Sequence, residues 1–290
     1  MITEKKISNK QKTLKQSFNF EGIGLHSGIT SKVTVYPERD DYGIVFIRKN
    51  LSKNNEIRAH WSNVTSTKLC TTISNNSGAS VQTIEHLMSA LSGMHIDNAK
   101  IEVEGPEIPI MDGSAEPFVK LIEKVGVIDQ SKDRKYIRVL KEVIVEGEDD
   151  FVKIRPHNKF SVEFEIDFPS NVISNQSCHL QMINGNYKED ISKARTFGFI
   201  EEVDKLRSLG FALGGSLDNA IVIDKDNILN KEGLRYADEF VRHKILDSIG
   251  DLYLAGSPVI GYFEARKSGH KLNNKLLEKL LSKKSNWTYV

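Results

Sequence analysis

Hydrophobic and polar positions along the chain fall into two successive series, each with strands first and helices later. Leu14, Phe18 and Phe20 lie on one side of an alternating run, which predicts a half-buried strand over 14–20. A glycine-rich loop over 22–28 follows, then strands over 31–36 and 43–48, rich in Val, Ile and aromatic residues. Val81, Ile84, Met88 and Leu91 recur at helical spacing and predict a helix over 81–91. A strand over 98–103, a turn over 111–114 and a helix over 115–125 complete the series. The charged stretch 131–135 is the expected boundary, dividing the chain into units over 1–130 and 131–290. Beyond it the pattern predicts strands over 137–145, 151–154 and 160–168. Helices follow over 199–209, 236–255 and 270–282, with strands over 220–223 and 259–265 between them. Strands before helices in each series predict an α+β fold built in layers rather than an alternating parallel sheet. There is no fixed-period repeat, so the pattern alone does not establish a duplication.

Composition narrows the class. The chain has 290 residues, 39% apolar and 27% charged, a normal balance for a globular protein. Lys plus Arg number 40 and Asp plus Glu 39, for a net charge of +1. That argues against a dedicated nucleic-acid binder, which carries a basic excess. Cys70 and Cys178 cannot build a disulfide framework and fit a reducing, cytoplasmic compartment. The first ten residues are polar and expected to be a loose extension, with no signal-peptide core behind them. No run approaches the ~18 apolar residues of a membrane span, so no integral membrane association is expected.

Three segments carry candidate chemistry. The stretch 240–254 is apolar nearly all round, as in a buried helix, yet holds His243, Asp247 and Asp251. These recur at i, i+4 and i+8, so the first two lie ~6 Å apart along one face. A His and an Asp so placed can clasp one metal ion, or they can form a polar stripe answered by Arg or Lys from elsewhere. In the second segment, Glu85 follows Val81 by one turn and falls on the apolar side of its helix, beside His86. That pair could supply a base and a ligand, or be a capping Glu beside a core His. In the third, His270 follows a flexible Gly at a helix start and could serve as an acid if Asp251 held it protonated. A mixed N/O ligand set suits catalytic zinc, and it suits ferrous iron in non-haem oxygenases equally.

Seven motifs then appear in order: Gly22-Ile23-Gly24-Leu25-His26-Ser27-Gly28, Ile84-Glu85-His86-Leu87-Met88, Ile110-Met111-Asp112-Gly113-Ser114, Ala194-Arg195-Thr196-Phe197-Gly198-Phe199, Leu213-Gly214-Gly215-Ser216, Val241-Arg242-His243-Lys244-Ile245-Leu246-Asp247 and Ser268-Gly269-His270-Lys271-Leu272-Asn273-Asn274-Lys275. Over roughly 12–281 the chain resembles the zinc-dependent UDP-3-O-acyl-N-acetylglucosamine deacetylases, which catalyse the committed step of lipid A synthesis in Gram-negative bacteria. The resemblance implies two similar two-layer β/α sandwich domains with zinc in the cleft between them. It implies His86, His243 and Asp247 as zinc ligands, Glu85 as general base, and His270 as the acid, oriented by Asp251. Thr196 and Lys244 would flank the scissile amide. Phe168 and Lys267 would lie at the uridine and phosphate end. Leu25, Phe197, Ile200, Val203 and Ala212 would line the acyl passage. It also implies a monomer acting on a UDP-acyl-sugar, without the dehydratase domain fused to some members. The segment 169–188 departs from the family pattern and is expected to be a variable loop. Two other classes stand beside this reading: a non-haem Fe(II) oxygenase using the same ligands, and a non-catalytic nucleotide-sugar-binding module.

Overall fold

The structure, a computed structural model, describes residues 9–182 and 185–290. Most of the expected N-terminal extension, residues 1–8, lies outside the described residues. The fold is α+β, with two five-stranded sheets at its centre. The first runs in the order Phe18–Ile23, Thr30–Pro37, Ala99–Glu104, Ile44–Arg48, Glu56–Arg58. The second runs Val143–Glu146, Phe151–Arg155, Tyr262–Arg266, Ser161–Asp167, Asn175–Gln181. In each, the central strand is antiparallel to one hairpin and parallel to the first strand of the other. The second sheet therefore repeats the topology of the first, a duplication the residue pattern did not establish.

Among the described residues there are six α-helices: α1 (Glu85–Gly93), α2 (Glu116–Val125), α3 (Asn186–Asp190), α4 (Ile200–Ser208), α5 (Glu239–Tyr253) and α6 (His270–Leu281). The apolar stripe of α2, with Phe118, Val119 and Ile122 buried, faces the first sheet. Helices α5 and α6 cover the second sheet. One continuous apolar core joins both halves. No helix of the described residues is long and apolar enough to cross a membrane.

Several expected elements are divided. The run 14–20 is two strands, Lys10–Leu14 and Phe18–Ile23. Each pairs elsewhere, the first with Val127–Asp133 and the second with Thr30–Pro37, so the alternation passes through a bend. The strand Val127–Asp133 is mostly polar and exposed, which is why no pattern marked it, and it runs through the start of the charged stretch 131–135. The run 137–145 is Ile137–Val139 and Val143–Glu146. The run 259–265 breaks at Gly261, and its two parts join different sheets. The segment 169–188 is not a plain loop. It supplies an edge strand, Asn175–Gln181, and α3.

The helix expected over 81–91 begins at Glu85. Ser80–Val81 is a short strand, and Thr83 has φ 55°, a left-handed conformation that no helix contains. The argument that placed Glu85 one helical turn after Val81 therefore fails, although Glu85 is buried. Thr83 is held there by its hydroxyl, which donates to Glu107 Oε1 at 2.6 Å. The sharp entry puts Glu85 and His86 in the first turn of α1.

Helix α1 crosses α5 at Gly250. A Cβ on Gly250 would stand 2.1 Å from the Glu85 carbonyl oxygen, so only glycine permits the approach. Gly250→Ala gains ~1 kcal/mol of helix propensity but forces two backbones apart, and overpacking of that kind costs ~1–3 kcal/mol. Because a main-chain carbonyl cannot swing aside as a side chain can, we expect the variant to melt several degrees lower in calorimetry. A rise in melting temperature would show that the helices do not meet at this glycine.

Candidate metal centre and catalytic pocket

The crossing brings two stretches far apart in sequence to one place. His86 comes from α1, and His243 and Asp247 from successive turns of α5. All three are buried, and their donor atoms lie within 4.8 Å of one another. Asp247 Oδ1 is 3.4 Å from both His86 Nε2 and His243 Nε2. The two imidazole planes stand at 88°, with centroids 5.0 Å apart.

Proton placement indicates what this cluster lacks. His243 Nδ1–H donates to the Ala194 carbonyl at 3.1 Å, which leaves the Nε2 lone pair facing Asp247. Burial pushes the His243 pKa down to about 4, against the pull of Asp247, so the ring is neutral. The Asp247 carboxyl is held well below the usual range: burial opposes its ionisation, but His86, the His270 imidazolium and the Lys244 ammonium outweigh it. A lone pair and a carboxylate oxygen thus face each other, and Asp247 Oδ1 makes no hydrogen bond. A cation between them resolves the repulsion. Donors ~2.0–2.1 Å from a tetrahedral zinc lie ~3.3 Å apart, close to the spacing present. The residues fit a divalent metal. Cys70 and Cys178 are free, buried and outside the cluster.

Two titratable groups flank the cluster. Burial raises the Glu85 pKa to about 7, against the opposing charges of His270 and His86. Its Oε2 accepts from the Thr71 backbone N–H at 3.0 Å, and its Oε1 lies 3.7 Å from His270 Nε2. His270 Nδ1 bonds Asp251 Oδ2 at 2.8 Å, the contact that nineteen residues of separation had left open. Burial alone would lower the His270 pKa, but Asp251 and Glu85 outweigh it and raise it to about 9. Near neutral pH, His270 is protonated while Glu85 sits near its midpoint. Asp251 is fixed in turn by Thr71 Oγ1 at 2.6 Å and Asn273 Nδ2 at 2.9 Å.

The remaining sequence-derived residues spread over a wider surface. Lys244 Nζ is 3.9 Å from Asp247 Oδ2, at the inner edge. Thr196 lies two residues past the carbonyl that orients His243, its backbone tied to Gly113 at 2.8 Å. Phe197 stacks edge-on against Phe168 at 5.6 Å and Phe240 at 5.0 Å. Leu25 and Ala212 both lie against Gly215, where the 22–28 loop accepts hydrogen bonds from the Leu213 and Gly214 backbone. Ile200 is exposed and Val203 half-buried on one face of α4, which contains no buried residue. Lys267 stands apart, bridging Asp149 at 2.7 Å and Asp167 at 2.9 Å.

Residue-by-residue reading passed over two participants. Thr71 ties both carboxylates together, yet a threonine in a polar loop gives no signal of that. His26 lies in the quoted glycine loop without an assigned role. Neither of its buried ring nitrogens has a hydrogen-bond partner. Burial lowers its pKa against Glu107, and His270 and His86 lower it further, which places it beside the same pocket.

Comparison with known proteins bears on the whole chain. It is 48% identical to the UDP-3-O-acyl-N-acetylglucosamine deacetylase of Syntrophus aciditrophicus over 96% of this chain and 88% of the relative. It is 48% identical to the Chromobacterium violaceum protein of the same name, over 97% and 93% of the two chains. The Shewanella loihica protein of that name is 46% identical over 97% and 92%. With residues 11–282 also matching the family described as UDP-3-O-acyl N-acetylglycosamine deacetylase, the chain belongs to that family.

Proposed function

We propose that the protein hydrolyses the acetamide of UDP-3-O-(3-hydroxyacyl)-N-acetylglucosamine, releasing acetate and the 2-amino sugar, in lipid A biosynthesis. The observation that carries this is the convergence of a three-donor metal cluster with a raised carboxyl on one side and a carboxylate-held imidazole on the other. His86, His243 and Asp247 hold zinc in this reading. The chemistry a bound zinc supplies is acidification of a water and polarisation of the acetamide carbonyl. Glu85 is deprotonated at the start and takes the proton of the attacking water. Its Thr71 contact keeps Oε2 occupied and leaves Oε1 on the His270 side for that task. Thr196 and Lys244 steady the oxyanion, a kind of contact typically worth ~3 kcal/mol. His270 Nε2–H then donates to the departing sugar nitrogen, while Asp251 holds Nδ1.

Phe168 and Lys267 face the uridine diphosphate in this reading. Leu25, Phe197, Ile200, Val203 and Ala212 take the acyl chain. Of the two halves of the chain, dividing near residue 130, the first contributes α1 and the second contributes α5 and the start of α6. All of these groups come from one chain, which supports a monomer, and the two free cysteines fit the reducing cytoplasm.

The deciding experiment measures acetate release from the UDP-3-O-acyl sugar by metal-stripped protein, with and without stoichiometric zinc. Activity lost on stripping and restored by zinc is expected. Inactivity in both samples, with the fold intact, overturns the assignment.

Four further outcomes follow from the geometry. Glu85→Gln should slow turnover by ~10²–10⁴-fold while metal analysis still finds zinc bound. Asp247→Ala, in contrast, should lose metal on dialysis, since the cluster keeps only two donors. The pH profile should be bell-shaped, rising as Glu85 loses its proton and falling as His270 loses its own. Asp251→Asn removes the carboxylate that does most to keep His270 protonated, so the alkaline limb should move to lower pH. An unmoved limb would remove His270 from the acid role.

A further inference from the structure

Behind the two catalytic helices lies a cavity of about 390 Å³ that none of the metal or proton-transfer residues lines. Gly93 of α1 and Ile249, Leu252 and Tyr253 of α5 form part of its wall. Ile249 and Tyr253 each follow an aspartate of the catalytic stripe by two residues. They therefore project ~200° around the helix from it, on the opposite face. The volume lies within the ~300–1,000 Å³ typical of small-molecule sites.

One end of the cavity is polar. Arg134 lines it and is 9% exposed. Its Nε donates to Asp97 Oδ1 at 2.7 Å and its Nη1 to His95 Nδ1 at 3.0 Å, and Nη1 carries a second N–H beyond that bond. Burial holds His95 neutral, with its pKa lowered to about 4. Its Nδ1 accepts from the guanidinium, so Nε2 carries the ring proton, a second donor in a residue that lines the cavity. A ligand acceptor at this end would meet donors of two residues that line the cavity, Arg134 and His95. Asp97 already balances the arginine charge, and Lys159 adds one cation at the rim. That balance suits a monoanion rather than a polyphosphate. The remaining wall, including Phe160, Met182, Val259 and Ile260, is apolar and suits a hydrocarbon body.

We propose that this cavity is a second ligand site, distinct from the metal centre, that takes a small monocarboxylate with an apolar tail, its head on Arg134 and His95. The assignment stands on these residues alone and does not depend on the deacetylase reading.

Calorimetric titration of the full zinc-loaded chain with octanoate tests it, with 1-octanol as the uncharged match. Octanoate should bind more tightly than octanol, and Arg134→Gln should remove that preference. Ile260→Trp, which fills the cavity from its wall, should weaken octanoate by about tenfold or more. If that variant fails to fold, Ser92→Phe fills the same space from the α1 side and gives the same reading. Undetectable binding by the wild type overturns the proposal. So does unchanged affinity in a filled variant of normal melting temperature, because octanoate must then be held elsewhere, for example at the metal centre.

Discussion

The main-chain contact between Gly250 and Glu85 is the constraint on which the site depends. Two helices from separate halves of the chain approach until one residue's carbonyl occupies the space of the other's missing side chain. This sets the first turn of α1 beside the middle of α5. Side chains that reach the pocket from such helices need little freedom, because the backbones already stand at the required spacing. Thr83 serves the same end on the other side. Its left-handed turn, fastened to Glu107, starts α1 abruptly enough to place Glu85 and His86 at the crossing rather than a turn away.

The charges inside the pocket follow from that closeness. Burying a carboxylate is costly unless something compensates, and the acidic residues here are compensated in different ways. Asp247 is kept ionised by His86, His270 and Lys244 around it and is suited to hold a cation. Asp251 spends its oxygens on Thr71, Asn273 and His270. Glu85 is left with a single backbone donor and a distant imidazole, and its pKa rises accordingly. Carboxyl groups a few ångströms apart thus acquire different protonation behaviour from their surroundings, the usual basis for dividing binding and proton-transfer roles.

The α5 stripe was legible because its chemistry is local. His243, Asp247 and Asp251 lie one turn apart on a helix too apolar to leave them in water. The order of elements also carried the α+β class. What periodicity could not show was set by distant partners. The breaks at 15–17 and at Gly261 exist because adjoining residues pair in different sheets. The start of α1 depends on one threonine's hydrogen bond to a glutamate twenty-four residues on. Thr71 is invisible for the same reason, since its importance lies in what the fold brings to its two polar groups.

The side of the site proposed to take the acyl chain is built on a different principle from the metal cluster. Helix α4 has acidic and basic residues around most of its circumference and no buried side chain of its own. Ile200, Val203 and Leu206 recur at three-residue intervals on one face, the first exposed and the others half-buried. A stripe of this kind gains little from the folded protein alone. On the proposed reading, an acyl chain laid against it would contribute ~0.8 kcal/mol per buried methylene. Substrate would then supply the apolar contact that α4 lacks. Lys267 is in a similar position at the other end, because its exposed pairs with Asp149 and Asp167 are of the kind worth little in water. Exchanging a carboxylate for a diphosphate oxygen there costs correspondingly little. On the proposed reading, the rigid crossing would carry the chemistry, and the loosely held rim would leave binding energy for the substrate to provide.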